Sequence, residues 1–235
     1  MDTTTYVSLS VQNALQRQMD IIAHNIANAA TGAFKSEKPI FVEVLDENND
    51  VAYVEDYGVA RDMQAGRLEV TGGPLDVAVQ GDAFLAVQVG DEVRYTRNGH
   101  LQLDAEGELS TSTGYAVLDI DQRPIEIPPG VDGITISPDG TVSGGDGPLA
   151  RIGMVAFDNP LDMERAPDSL YVTAQAPVPP RDASLVQGAL EMSNVSPVLQ
   201  LTEMIEVLRA YQRNAELAEN EHQLQLKTID TAIQA

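Results

Sequence analysis

The sequence predicts an α+β fold in which helices from both ends of the chain form one discontinuous α-helical domain, with an antiparallel β domain inserted between them. Apolar residues recur every three or four positions near both ends, whereas short central runs have an apolar residue at every second position. The charge follows the same division, because the charges of residues 1–35 cancel while the whole chain carries −22. We expect a coiled-coil-like assembly domain from residues 1–35 and 193–235, an acidic extended connector over residues 36–72, and the β domain over residues 73–192.

The first predicted helix runs from about Thr5 to Asn28. The threonines before it are suitable N-caps, and Asn28 or Gly32 can end it because both tolerate the left-handed conformation. Its apolar positions are spaced by three and four residues, which places them on one helical face. These positions are Val11, Leu15, Met19, Ile22 and Ile26.

The central residues change to the period of a β-strand. Residues 75–79, 84–89 and 93–96 alternate as strands do, and residues 101–110 and 134–143 each contain two short strands around an acid-to-glycine turn. Short strands at regular spacing with such turns are typical of an antiparallel β domain.

The second predicted helix is the clearest element of the sequence. Ser196 is a favourable N-cap, and Pro197 occupies the first helical position, where its missing N–H has no cost. Two helices that each carry one apolar stripe are expected to pack together as an antiparallel or crossing pair. The heptad-like positions are Val198, Leu201, Ile205, Leu208, Gln212, Ala215, Glu219, His222, Leu226, Ile229 and Ile233.

The composition argues against several classes of function. Hydrophobic residues make up 43% of the 235 residues, which is enough for a real core. The 14 Lys and Arg residues are not clustered, so nucleic acid is a poor partner. Cysteine is absent, which excludes disulfides and thiol chemistry. The longest uninterrupted apolar run, Ala83–Val87, fits neither a signal peptide nor a membrane span, so we expect no membrane insertion and either a cytoplasmic location or export without a cleaved signal.

The titratable residues do not form a recognisable catalytic or metal-binding pattern. His24, His100 and His222 are far apart in the sequence, and no cysteine or nearby histidine supplies metal-ligand spacing. The glycine-rich stretch Gly144–Gly147 is not followed by the helix start and lysine of a phosphate-binding loop. We therefore predict no catalytic residue, no cofactor and no metal.

Three blocks of the sequence stand out, in this order. The first block is Tyr6–Ser10 followed by Gln16–Asn28; the second is Gly73–Phe84, continued by Tyr95–Gly99; the third is Ser193–Val195 with Met204–Ile205 and Arg209–Asn214. Together these blocks resemble the bacterial flagellar rod and hook proteins. The family motif that closes the first block reads Thr-x-Gly-Phe-Lys, whereas Thr31–Lys35 of this chain has its glycine one place earlier.

The resemblance implies a structural subunit of the flagellar basal-body rod that stacks helically through its terminal helices and transmits torque across the periplasm. The implied partners are copies of the chain, other proximal and distal rod proteins, and the flagellar type III apparatus, which exports such chains without a cleaved signal. The short length and the Tyr6–Ser10 opening are most similar to the proximal rod proteins. The alternatives are a distal rod or hook-type axial protein, a cap or scaffold exported by the same route, and a soluble oligomeric β-domain binding protein.

The predicted assembly interface combines the two apolar stripes with polar residues beside them. We expect the stripes to bury against each other and against neighbouring subunits, because a large exposed apolar seam favours aggregation. Asparagine is unfavourable inside helices, so its presence indicates either capping and turn roles or buried residues that fix the register between helices. The predicted interface residues are Leu15, Met19, Ile22, Asn25, Ile26, Asn28, Leu201, Ile205, Leu208, Tyr211, Asn214, Leu226 and Ile229.

Overall fold

The computed structural model describes residues 3–46, 51–131, 133–145 and 147–234, and these residues form an α+β fold. The chain divides into two compact units. The helical unit comprises Met1–Ala29, Ser36–Asp62 and Val195–Ala235, and the β unit comprises Ala30–Lys35 and Met63–Asn194. The six residues Ala30–Lys35, which we had expected in the helical domain, therefore belong to the β unit.

The described residues contain two α-helices, one short 3-10 helix and seventeen strands. The helices are α1 (Thr3–Ala27), α2 (Pro197–Gln234) and the 3-10 helix Pro160–Asp162. The strands are β1 (Glu37–Asp46), β2 (Val51–Arg61), β3 (Leu68–Val70), β4 (Val77–Gln80), β5 (Phe84–Val89), β6 (Glu92–Thr96), β7 (Leu101–Leu103), β8 (Leu109–Thr111), β9 (Ala116–Val117), β10 (Thr135–Ile136), β11 (Thr141–Gly144), β12 (Gly147–Arg151), β13 (Met154–Val155), β14 (Glu164–Ala166), β15 (Leu170–Val172), β16 (Ser184–Gln187) and β17 (Ala189–Glu191).

Both predicted terminal helices are confirmed. α2 begins at Pro197, as its sequence predicts, and α1 ends one residue before Asn28. The end of α1 is capped by Asn28, whose side-chain amide donates to the carbonyl of His24 at 2.9 Å and whose N–H lies 3.2 Å from the same oxygen. Within the helical unit, α1 and α2 pack in antiparallel fashion, because Asn25 contacts Gln200 near one end of the pair and Ser8 contacts Asn214 near the other.

The expectation of an extended connector over residues 36–72 is wrong for most of that range. Residues 37–46 and 51–61 form an antiparallel hairpin, β1–β2, with a register shift between Ile40 and Phe41. The hairpin packs on α1 inside the helical unit. Ile40, Val42 and Val44 of β1 remain between 37% and 40% exposed, and acidic residues interrupt the apolar pattern of both strands.

The β unit is built around a large antiparallel sheet with the strand order β14-β15-β6-β5-β9-β8-β7, in which β13 also pairs with β5. The predicted strand 84–89 is confirmed without change, and the predicted hairpins 101–110 and 134–143 correspond to β7–β8 and β10–β11. One face of the sheet carries an aliphatic core that includes Leu85 and Val87. The other carries an aromatic cluster in which Phe84 meets Phe157 and Tyr171 edge-to-face.

The turn between α1 and β1 has an unusual backbone position. Ala33 has a φ of +55°, which lies in the left-handed region that favours glycine. This is the position at which the family motif Thr-x-Gly-Phe-Lys has its glycine, whereas Gly32 stands one place earlier in this chain. In this chain an alanine therefore occupies a left-handed position at the place where the motif has glycine.

Candidate assembly interface

One face of α2 carries large apolar side chains that the helical unit leaves exposed. Val198, Leu201, Ile205 and Leu208 are between 43% and 73% exposed, and their spacing places them on one face of the helix. We call these four residues the exposed stripe. Leu226, which is 49% exposed, lies near the continuation of the same face. Exposed apolar side chains that lie next to each other often mark a surface that binds another molecule.

A different face of α2 packs against α1. Val207 is only 6% exposed there, Tyr211 is half-buried, and Gln200 and Asn214 are hydrogen-bonded to α1. Because consecutive residues of an α-helix are rotated by about 100°, this seam lies roughly 130° around α2 from the exposed stripe. The exposed stripe and the seam are therefore different faces of the helix, and the seam is occupied within the chain.

The predicted interface residues of α2 lie on two different faces of the helix. Leu201, Ile205 and Leu208 were expected to bury against α1 and against neighbouring subunits, and within the single chain they are about half exposed. Asn214, from the same predicted set, contacts Ser8 of α1. The apolar positions of α2 are too many for one helical neighbour, so periodicity could locate a stripe without showing which face contacts α1.

The predicted interface residues of α1 are buried or half-buried. Ile22 is 2% exposed, and Leu15, Met19 and Ile26 are half-buried on neighbouring turns. Ile21 is also buried, which the predicted stripe had not included. The apolar contacts of α1 are therefore concentrated in its C-terminal half.

Asn25 is buried and makes three hydrogen bonds. Its side-chain amide donates to the carbonyl of Glu37 at 2.8 Å and to Oε1 of Gln200 at 2.9 Å. Its side-chain oxygen accepts the N–H of Glu37 at 2.9 Å. One asparagine thus ties α1 to the first residue of β1 and to the first turn of α2, and so it fixes how these three elements meet.

Asn214 performs a similar task at the other end of the helix pair. Its amide donates to the carbonyl of Ser8 at 2.9 Å, and its side-chain oxygen accepts the Ser8 hydroxyl at 3.1 Å. Asn25 and Asn214 therefore have register-fixing contacts within the chain, whereas Asn28 caps α1. The predicted residue Ile229 belongs to α2, but its side chain lies outside the described residues.

The hairpin β1–β2 adds contacts to α1 that the sequence analysis missed. Arg17 of α1 forms an ion pair with Asp56 of β2 at 3.0 Å, and His24 lies 3.2 Å from the Glu37 carboxylate. The charged side chains are partly exposed, so each pair contributes little to stability. Their value is positional, because each links a turn of α1 to a defined place on the hairpin.

The β unit contains a buried ionic cluster that the sequence analysis also missed. The carboxylate of Glu191 lies 2.6 Å from Nζ of Lys35 and 3.0 Å from Nε of Arg97, and all three side chains are at most 4% exposed. The N–H of Gly66 also donates to this carboxylate, at 3.0 Å. Burial acts to raise the pKa of Glu191, but the charge of Arg97 and the hydrogen bond from Lys35 outweigh it, so the pKa lies below its ordinary value.

Two further polar pairs lie in the β unit. His100 is tied to Asp76 at 2.7 Å. A groove of about 520 Å³ in the β unit is lined in part by Asp139 and Arg151, which are bonded to each other through the Asp139 carbonyl. No group of three or more His, Cys, Asp or Glu residues is placed to hold a metal in the part of the chain that the structure describes. None of the described helices combines the length and apolar character needed to cross a membrane.

Three family models match the chain in order. The flagella basal body rod protein family matches residues 6–35, the flagellar hook protein FlgE/F/G D1 domain matches residues 78–144, and the flagellar basal body rod FlgEFG protein C-terminal matches residues 186–231. The first and last matches cover most of α1 and α2, and the middle match covers five of the eight strands of the large sheet. The fold and these matches together define a flagellar axial protein.

Curated relatives narrow this class. The chain is 40% identical to the flagellar basal-body rod protein FlgF of Caulobacter vibrioides over 98% of both chains, and 34% identical to FlgF of Mesorhizobium japonicum over 92% of both. It is 31% identical to FlgG of Bacillus subtilis over 90% of this chain and 92% of the relative. The chain belongs to the flagellar basal-body rod protein family, is FlgF-like, and is a structural subunit of the flagellar rod.

Proposed function

We propose that the chain is a structural, non-catalytic subunit of the proximal rod that assembles through the exposed stripe of α2. The observation that carries this proposal is the exposure of Val198, Leu201, Ile205 and Leu208 on a helix whose seam is already occupied by α1. The seam residues Asn25 and Asn214 set the position of α2 against α1. A neighbouring subunit would then meet a stripe of fixed geometry.

The size of the stripe indicates how assembly depends on the number of neighbours. Full burial of a large aliphatic side chain contributes about 1.5–3 kcal/mol, so completing the burial of four half-exposed side chains contributes roughly 3–6 kcal/mol. Association of two proteins costs at least about 4 kcal/mol in lost translational and rotational freedom. One such contact is therefore close to balance, and several simultaneous contacts in a helical array are strongly favourable. We expect the isolated chain to be monomeric at micromolar concentration.

We further infer the position and route of the protein in the cell. The matched relatives are named basal-body rod proteins, which supports partners among the proximal and distal rod proteins and copies of the chain itself. We propose that the terminal helices with the hairpin form one discontinuous assembly domain around an inserted β domain, that the chain leaves the cytoplasm through the flagellar type III export apparatus without signal cleavage, and that it transmits torque in the periplasm.

The exposed stripe is tested by a pair of double variants. Leu201→Gln with Ile205→Gln removes apolar surface from the stripe, and Glu206→Gln with Arg209→Gln changes two exposed polar residues of the same helix without changing the net charge. Both variants are produced in a strain that lacks the wild-type protein, and their amounts in detergent-washed hook–basal bodies and their swimming are measured. We expect the stripe variant to be lost from basal bodies and the control to be retained, with both showing the wild-type circular dichroism.

Retention of the stripe variant at the wild-type level in motile cells would overturn the assignment of this face.

The intact mass of the wild-type chain in the same basal bodies tests the export route. A mass that carries the full N-terminus, apart from loss of Met1, supports export without cleavage, whereas a shorter N-terminus contradicts it.

A distal rod position is the second candidate, because the FlgG of Bacillus subtilis also matches over nine-tenths of the chain. The two positions are separated by crosslinking in intact basal bodies. Since the chain has no cysteine, a single Leu208→Cys variant carries one defined thiol for this purpose. Crosslinks to the distal rod protein and to proximal rod proteins support the proximal position, whereas crosslinks to the hook protein support the distal one.

A further inference from the structure

The segment Ala30–Lys35, which we call the strap, is an N-terminal segment that belongs to the β unit. The N–H of Ala33 donates to the carbonyl of Glu191 at 2.8 Å, and the carbonyl of Phe34 accepts the N–H of Asn194 at 3.3 Å. Phe34 is 1% exposed and lies beneath the guanidinium of Arg165, which is 4.1 Å from the ring centre. The strap is thus held by backbone, aromatic and ionic contacts to residues that are far away in the sequence.

Lys35 is the charged end of the strap, and its ammonium group is fully enclosed. It donates to Oε1 of Glu191 at 2.6 Å and to the carbonyl of Gln64 at 2.7 Å. Arg97 occupies the other carboxylate oxygen and also donates to the carbonyls of Val79, Gly81 and Ala83. Glu191 is therefore the shared anion of two buried cations, of which only Arg97 belongs to the sheet region.

The positions of these residues along the chain bear on the order in which the contacts of the cluster form. Glu191 is the last residue of β17 and stands 156 residues after Lys35. β17 pairs with β3, in the register Glu191 with Leu68, and with no other strand of the described residues. Placing Lys35 in its site before Glu191 arrives would bury an ammonium group without the charge of the Glu191 carboxylate, which is unfavourable. Docking of the strap is therefore most favourable once β17 is in place.

We propose that Glu191 is a latch that docks the strap only after the β unit is complete. Arg97 holds the carboxylate in position, and Lys35 closes the latch. Because the strap leads from α1 directly into β1, closing it restrains the residues that follow Asn28 and those that precede Glu37. The fold thereby carries a device in which the last strand of the β unit fixes the first segment that leaves α1. The latch is a property of the isolated chain and does not depend on the proposed assembly surface.

Amide hydrogen exchange tests the latch through the variant Lys35→Met, which removes the ammonium group and keeps most of the aliphatic volume. We expect protection of the Ala33 amide to fall about tenfold or more, because the strap loses a hydrogen bond to a charged group. The amide of Gly66 stays protected, because the Arg97–Glu191 pair still presents the carboxylate to it. The matched control is Glu69→Gln, an exposed carboxylate of β3, which is expected to leave the exchange of Ala33 unchanged.

Unchanged protection of Ala33 in Lys35→Met would overturn the proposal, and so would an equal loss at Ala33 and Gly66, which would indicate general destabilisation.

Pulse-labelled refolding of the wild-type chain gives a test that needs no variant. The Ala33 amide is expected to become protected together with or after the ladder amides of β17. Protection of Ala33 before β17 would show that the strap docks without its latch. Failure of the stripe variants to affect assembly would leave all of these exchange results unaltered, so the two proposals are tested separately.

Discussion

Replacing Asn25 by alanine tests whether the helical unit is held in register by its buried amide. The substitution removes three hydrogen bonds, two to Glu37 and one to Gln200. Each contributes about 0.5–1.5 kcal/mol, and the N–H of Glu37 loses a buried acceptor, so the loss is about 3 kcal/mol. Alanine is a better helix former than asparagine by roughly 0.6 kcal/mol, which leaves a net destabilisation of about 2 kcal/mol.

The matched control is Asn13→Ala, because Asn13 is exposed in the middle of the same helix. It has the same gain in helix propensity without the buried hydrogen bonds, so it is expected to be neutral or slightly stabilising. The assay is urea unfolding followed at 222 nm, where α1 and α2 dominate the signal. The two variants should differ by about 3 kcal/mol in the free energy of unfolding, from the hydrogen bonds alone. A difference below about 0.5 kcal/mol, the usual size of a surface effect, would refute the argument that Asn25 fixes the seam.

Three further predictions concern the β unit. The folded-state pKa of Glu191 lies below its unfolded value of about 4.3. The ionised carboxylate therefore contributes its full stabilisation above that pH, and this contribution is lost as the pH falls through the folded-state pKa. The unfolding free energies of wild type and Glu191→Gln should thus converge in acid. Gly99→Ala places a methyl group against the carbonyl of Val77 and should lower the melting temperature by several degrees, whereas Gly145→Ala, where the added carbon meets nothing within 4 Å, should change it little. Ala33→Val puts a β-branched residue at φ +55° and should destabilise the β unit by about 1–3 kcal/mol, and an unchanged urea midpoint would contradict the left-handed assignment.

Local signals explain which elements could be predicted from the sequence. α2 was predictable because Ser196 and Pro197 mark its start and because its apolar residues follow one period over many turns. The strand Phe84–Val89 was predictable because it is a short, mostly apolar run between a glycine turn and Gly90. In both cases the information lies within a few consecutive residues.

The hairpin β1–β2 was missed because its signal is weaker and not because it is absent. Val42 and Val44 stand on either side of Glu43, and Tyr53 and Val54 are followed by two acidic residues. This mixture was interpreted as an acidic connector. The asparagine- and aspartate-rich sequence between residues 46 and 50 favours a turn and could have indicated a hairpin.

The ionic cluster and the seam depend on contacts that no local pattern contains. Glu191, Lys35 and Arg97 come from three distant parts of the chain, and a buried charge has no signature in its own neighbourhood. The seam of α2 uses Gln200 and Asn214, which periodicity counts as polar positions facing solvent. Tertiary pairing gives these residues their role, so a single sequence identified Asn25 and Asn214 as unusual without showing what they contact.

The division of α2 into a polar seam and an apolar stripe separates the contact that is made within the chain from the proposed assembly surface. Hydrogen bonds from Asn25 and Asn214 determine how α2 lies on α1, and they do so with little apolar area because a buried amide accepts only a few geometries. Ile22 of α1 and Val207 of α2 are both buried. The larger side chains of α2 are left exposed, and on the proposed assembly their burial is near balance for one contact and favourable for several. A seam made of the leucines instead would lack the polar contacts that fix its register, and it would remove the surface on which the proposed assembly depends.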